Sequence, residues 1–224
     1  MVARYAETLS WLQASTLSAW LPHVIIYNKG EDDLDGVLVE RVQAVHRLPN
    51  VGRCDHTYLS HIVDHLTAGS LADVTLFVPG CVDAEERKMS AFRRAFDRIC
   101  HGRVRPDRNE VGWCNPGLDF KGFQMWHWTS GTAANREKNP DRNLQLAEVR
   151  PFEAWFQRYF PQCATHHCLV PLHVGGVVPA FREGVERTPL SIYRELLRQC
   201  SSHHNPEVGH YIERIWGLLV DHYD

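Results

Sequence analysis

Apolar and polar positions divide the first hundred residues into short strands and one-sided helices. Val2 to Tyr5 is a short apolar start, and Leu9, Leu12, Leu17 and Trp20 fall on one face of a broken helix. His23 to Gly30, HVIIYNKG, is rich in β-branched residues and ends on a polar turn, which predicts a strand. Val37 to His46 reads as a short amphipathic or extended link. Tyr58, Leu59, Ile62, Val63 and Leu66 recur at spacings of three and four, the period of a helix with one buried side. Leu71 to Pro79 predicts another strand, which Pro79-Gly80 stops. Ala84 to His101 predicts a helix with Met89, Phe92, Phe96 and Ile99 turned inward. Together the first eighty residues follow a β–α–β–α–β order, the signature of a parallel sheet with helices on its faces.

The second half is less regular. Residues 102–146 are rich in Gly, Pro, Asn and Trp and show little periodicity, apart from an aromatic strand expected at Phe123 to Trp128. Arg150-Pro151-Phe152 opens a helix, EAWFQRYF. Cys168 to Val178 reads as a buried strand, and Gly175-Gly176 marks a place where something approaches the backbone closely. Two helices close the chain, one started by Thr188-Pro189 and one by Asn205-Pro206-Glu207. No repeat or linker interrupts 1–224, so one α/β domain is expected.

Composition narrows the function classes. The chain has 224 residues, 44% of them hydrophobic and 23% charged, as ordinary globular proteins do. Its formal net charge of −3 argues against a nucleic-acid binder that works by bulk charge. No apolar run approaches the roughly 20 residues that span a bilayer, and MVARYAETLSWL lacks the pattern of a signal peptide. Seven scattered Cys suit reduced thiols and a cytoplasmic setting. Fourteen His raise the question of a metal, but Cys163, His166, His167, Cys168, His203 and His204 show no paired C-x2-C spacing. His61 and His65, four apart, read first as a satisfied helix face.

One stretch carries more chemistry than the others. In LPNVGRCDHTYLSHIVDHL (Leu48–Leu66), Pro49, Asn50 and Gly52 make a loop before the helix, and Asp55 sits where an N-cap is expected. That delivers Arg53 to a helix mouth, where backbone N–H groups and a guanidinium suit a phosphate.

These segments carry a resemblance. VARYAETLSWL, VIIYNKG, LPNVGR with TYLSHIVDHL, LADVTLFVPG, the late GG with REGVERTPLSIYRELL, and NPEVGHYIERIWGLL occur in that order over nearly the whole chain. The set resembles an uncharacterised-domain family of fungal, algal and large-DNA-virus proteins. Its nearest functional relatives are small viral glycosyltransferases of the GT-A type. The resemblance implies a single-domain Rossmann-like fold, a mixed, mostly parallel sheet flanked by helices. It further implies a nucleotide-binding half (1–100) and an acceptor or closing half (101–224). The implied activity is transfer of a sugar from a nucleotide-diphosphate donor to a hydroxyl of a glycan or protein acceptor, with Mn2+ or Mg2+ as cofactor. No nucleic-acid partner and no membrane span are implied.

Carried onto this sequence, the resemblance puts Arg4, Tyr5 and Glu7 at the end of the first strand, and Asn28 at the end of the second, as nucleotide-binding groups. Arg53 becomes the diphosphate contact, and Asp83 and Glu85 a D-x-E variant of the metal-binding D-x-D. The same two acids also read as helix-capping groups. A literal D-x-D at Asp33-Leu34-Asp35 follows the second strand and reads first as a solvated loop. Glu207 and Glu213 compete for the base that deprotonates the acceptor. Four positions differ from the family pattern. Ala6 stands where Asn is usual, Cys54 where Glu is usual and Pro79 where Gln is usual, and Val177-Val178-Pro179 replaces a Phe continuation. These losses favour the alternative, a catalytically inactive relative that binds nucleotide or glycan or serves a structural (virion) role.

Overall fold

In the computed structural model, which describes residues 1–31, 33–102, 112–125, 144–164 and 168–221, a five-stranded sheet is covered on both faces. β1 (Val2–Arg4), β2 (Ile25–Asn28), β3 (Ala44–Arg47) and β4 (Val74–Pro79) run parallel, and β7 (Val178–Phe181) adds an antiparallel edge. The order across the sheet is β3-β2-β1-β4-β7. β5 (Gly112–Cys114) and β6 (Val170–Leu172) form a separate antiparallel pair. The helices are α1 (Gly36–Arg41), α2 (Arg53–Ala68), α3 (Glu86–Cys100), α4 (Pro116–Asp119), α5 (Phe152–Tyr159) and α6 (Pro161–Ala164). They continue as α7 (Arg182–Arg187), α8 (Leu190–Cys200), α9 (Glu207–Ile212) and α10 (Trp216–Val220).

Successive strand residues point to opposite faces, and this chain buries both. Val2 is in register with Ile26 and Val78, and the three share a cluster with Leu9, Leu21, Phe92 and Ala95. The neighbouring residues Ala3 and Phe77 face the other way, into a cluster with Tyr58, Leu59 and Ile62 of α2, Leu196 of α8 and Trp216 of α10. The result is an α/β Rossmann-like architecture with a mixed, mostly parallel sheet between helical layers. The order 3-2-1-4 reverses direction between β1 and β4. In such sheets ligands bind at the carboxyl ends of the strands, beside that reversal.

Several expectations are corrected in detail. The link Val37–His46 is α1 followed by β3, a fourth parallel strand too short to show periodicity. The broken helix before β2 is two 3-10 segments, Ser10–Gln13 and Ser15–His23, the second containing Pro22, which has no N–H to give. The predicted buried strand Cys168–Val178 is two strands, because Gly175 and Gly176 take φ of 72° and 78° and turn the chain from β6 toward β7. The expected aromatic strand is not formed at Phe123–Met125, and its remaining residues, 126–128, lie outside the described residues. The start expected at Ala84 is a 3-10 turn, Val82–Ala84, with α3 beginning at Glu86.

Candidate functional site

A cleft of about 580 Å3 opens where β1 and β4 end, within the usual size range of small-ligand sites. Its walls come from the residues after those strands, the first turn of α2, the Gly175-Gly176 turn, and the connection from α9 to α10. Six basic and three acidic side chains line it, in a chain whose formal net charge is −3. The cleft therefore concentrates positive potential that the rest of the chain lacks.

Close backbone contacts set the floor. A Cβ on Gly30 would fall 1.5 Å from the Tyr5 carbonyl oxygen, so only glycine lets the β2 exit lie against the β1 exit. Arg4, buried to 2% exposure, joins the two. Its Nε donates to the Glu7 carbonyl at 2.8 Å, and its Nη1 donates to Asn28 Oδ1 at 2.7 Å and to the Glu31 carbonyl at 3.0 Å. Nη2 pairs with Asp33 and holds that exposed carboxyl below the ordinary carboxylate range. Asn28 also accepts from Gly30 N–H at 3.0 Å. Arg4 and Asn28 thus brace the strand ends, with the literal D-x-D supplying Asp33 to the brace. Glu7 Oε2 accepts from the N–H groups of Tyr5 (2.7 Å) and Ala6 (3.1 Å), while the Tyr5 side chain stands at the cleft wall.

The mouth of α2 differs from the sequence expectation in its cap. Gly52, at φ 60°, is the N-cap, and Asp55 lies in the first turn. There the Asp55 carboxylate is fully buried and accepts from Trp216 Nε1 at 2.8 Å. Burial and the nearby Glu213 push its pKa up to about 7, against the pull of Arg53. A Cβ on Gly52 would meet the Cys200 carbonyl oxygen at 2.5 Å, which explains why an αL glycine caps this helix. Lys29 Nζ donates to the carbonyls of Val51 and Arg53 at 2.5 Å each and so fixes the loop. Burial lowers its pKa to about 8.

Arg53 does reach the cleft, as part of a network. Its Nη2 lies 2.8 Å from Glu213 Oε1, and its Nη1 lies 2.9 Å from His210 Nδ1. Burial works against the Glu213 charge, but Arg53 and His210 overcome it and hold the carboxyl well below the usual carboxylate range. A carboxylate held that strongly ionised is a weak base. Its two oxygens face Arg53 at 2.8 Å and His210 at 3.5 Å. Beside it Arg214 lies over the Phe123 ring, 3.6 Å from its centroid, and donates to the His210 carbonyl at 2.5 Å.

Glu207 takes no part in the cleft. It has 0% exposure, accepts from the N–H groups of Met125 (2.7 Å) and Ala147 (3.0 Å) and from Tyr211 OH (3.0 Å), and pairs with Arg150 Nε at 2.7 Å. With its acceptor sites filled and no exposure, it cannot reach an acceptor hydroxyl.

The acids expected to hold a metal are also apart. Asp83 is exposed on the 3-10 turn and does not line the cleft. Glu85 does, but it pairs with Lys88 Nζ at 2.8 Å and Arg87 at 3.6 Å. Among the described residues no three His, Cys, Asp or Glu side chains are grouped to hold a metal. Hard divalent cations need several oxygen ligands together. Each of the three cleft carboxylates among the described residues already faces a cation or backbone N–H groups, so the described residues do not fit a Mn2+ or Mg2+ site.

Sequence reasoning missed Lys88, Arg214 and the His173–Asp221 pair. Lys88 was hidden on the charged side of a helix, and Arg214 gave only its adjacency to Glu213. The close approach expected at Gly175-Gly176 is real: a Cβ on Gly175 would lie 2.6 Å from Lys88 Cγ. Tyr58 OH donates to the Gly176 carbonyl at 2.8 Å and anchors this turn. Tyr58→Phe is therefore expected to cost about 1 kcal/mol, measured by urea unfolding, and a neutral result would show that the turn is held without that bond.

No family model matches the chain, and no curated protein or solved structure matches it. Among the described residues no helix is long and apolar enough to cross a membrane.

Proposed function

We propose that the protein is a glycosyltransferase of GT-A-like arrangement that takes its sugar from a nucleotide-diphosphate donor and passes it to an acceptor hydroxyl. The observation that carries this reading is the excess of basic over acidic side chains around a ligand-sized cleft at the strand-order reversal. As the sugar's bond to the donor breaks, negative charge grows on the departing diphosphate, and fixed cations stabilise that charge most. Arg53, Lys88 and Arg214 supply them, with Arg87 at the rim. Positions that differ from the resembled family fit a side-chain clamp: Cys54 puts a neutral thiol where a carboxylate would add negative charge.

The test is thermal and urea unfolding with UDP, GDP and their sugars, in Mn2+ or in EDTA. At about 100 times its Kd a ligand stabilises the native state by roughly 2.7 kcal/mol. The expected result is a shift with one nucleoside diphosphate that survives EDTA and is lost in Arg53→Ala. A shift that needs Mn2+ would overturn the side-chain clamp. A shift without any release of nucleoside diphosphate from sugar donors would favour the inactive, nucleotide-binding relative.

A further inference from the structure

His173 lines the cleft from the end of β6. Its Nε2 lies 3.0 Å from Asp221 Oδ2, and both residues are buried, at 8% and 7% exposure. A carboxylate accepting at Nε2 places the ring proton there and leaves the lone pair on Nδ1. Nδ1 has no protein partner among the described residues, and it is not one of the polar atoms sealed from solvent without one. His173 is a lining residue of the cleft, and Nδ1 is the ring atom left without a hydrogen bond among the described residues.

The fold brings the carboxylate to this position by two close backbone contacts. A Cβ on Gly217, in α10, would fall 2.2 Å from the Pro171 carbonyl oxygen of β6. A Cβ on Gly184, in α7, would fall 1.9 Å from the Val220 carbonyl oxygen. Glycine at both places lets α10 press against β6 and α7, which sets Asp221, the residue after the helix, under the imidazole. A base oriented by a buried third group is the arrangement that proton-transfer sites require.

We propose that His173, positioned by Asp221, is the general base that activates the acceptor hydroxyl in this cleft, in place of either late-chain glutamate. The inference rests on the glycosyl-transfer reading given above. His173 Nδ1 takes the hydroxyl proton as the acceptor oxygen bonds to the anomeric carbon. The anomeric carbon–oxygen bond to the diphosphate breaks, and its electron pair leaves on the diphosphate oxygen, which the cleft cations stabilise. The Nε2 proton stays hydrogen-bonded to Asp221, and the imidazolium then returns its extra proton to water.

The experiment follows nucleoside diphosphate binding by thermal shift, and turnover by release of nucleoside diphosphate from the sugar donor, in wild type, His173→Gln, His173→Gly and Asp221→Asn. His173→Gln should keep the ligand-induced shift and lose about 10²- to 10⁴-fold in kcat, the range for a lost general base. Imidazole added to His173→Gly should restore part of the rate, and Asp221→Asn should lower kcat with KM unchanged. On folded wild-type protein, diethyl pyrocarbonate should inactivate by modifying His173, with protection by bound nucleoside diphosphate. Full turnover in His173→Gln, or inactivation without modification of His173, overturns the base role and leaves the transfer reading standing. Binding of nucleoside diphosphate with no turnover by wild type overturns the transfer reading, and the base role with it.

Discussion

Glu207→Ala is expected to remove about 3–5 kcal/mol of folding stability, the cost of leaving one member of a buried ion pair without its partner. The carboxylate has 0% exposure and serves four groups from three parts of the chain: Met125 N–H, Ala147 N–H with Arg150, and Tyr211 OH. The substitution removes the carboxylate that Arg150 Nε faces, although Arg150 Nη2 keeps its bond to the Met125 carbonyl, and it strands two backbone donors in a region with little water to replace the lost bonds. Because Glu207 begins α9, whose C-cap is Glu213, the loss should spread to the Arg53 clamp. Glu207→Gln keeps the volume and part of the hydrogen bonding, so it should fall between wild type and Ala. Urea unfolding of the three proteins checks the order. A Glu207→Ala protein within about 1 kcal/mol of wild type would mean that the network contributes little net stability, as some buried ion pairs do.

That carboxylate shows what the sequence could and could not reveal. The apolar, β-branched runs of β2 and β4 and the period of α2 are local properties, written in runs such as VIIYN and TYLSHIVDHL, and the structure follows them. β3 was not legible because four residues with three exposed positions give no alternation to read. Arg53 was legible because Pro49, Asn50 and Gly52 announce a loop before a helix. The identity of the N-cap was not, since Asp55 satisfies a local rule that burial against Trp216 overrides. Glu207 and Glu213 looked alike in sequence, both acids on late helical segments. What separates them is which distant group each meets, and that depends on contacts more than fifty residues away. The cleft's cations are dispersed in the same way, from Arg53 on α2 to Lys88 on α3 and Arg214 after α9, so composition saw only a mildly acidic chain.

Acid should destabilise the protein through its buried imidazoles. His61 is 4% exposed, its Nδ1 lies 3.1 Å from Tyr27 OH, and burial with neighbouring His65 lowers its pKa from 6.5 to about 3. His56, with Nδ1 buried and unpartnered, is lowered to about 4, mainly by burial and also by Lys29. A base whose folded pKa lies below its unfolded value keeps the native state favoured above the unfolded pKa. That advantage is lost as pH falls from 6.5 toward the folded pKa, because the unfolded chain takes up the proton first. Asp55 works in the opposite sense, since its raised pKa lets the native state bind a proton before the unfolded chain does. A single wild-type curve would therefore mix the two, and a comparison with His61→Gln, which cannot titrate there, isolates the ring. Each pKa unit is worth about 1.4 kcal/mol, so between pH 7 and pH 4 wild type should lose on the order of 3 kcal/mol more than His61→Gln. Urea unfolding of both proteins across that range gives the difference. Parallel curves would show that His61 is not held neutral in the folded protein, and that its packing against Tyr27 tolerates the charge.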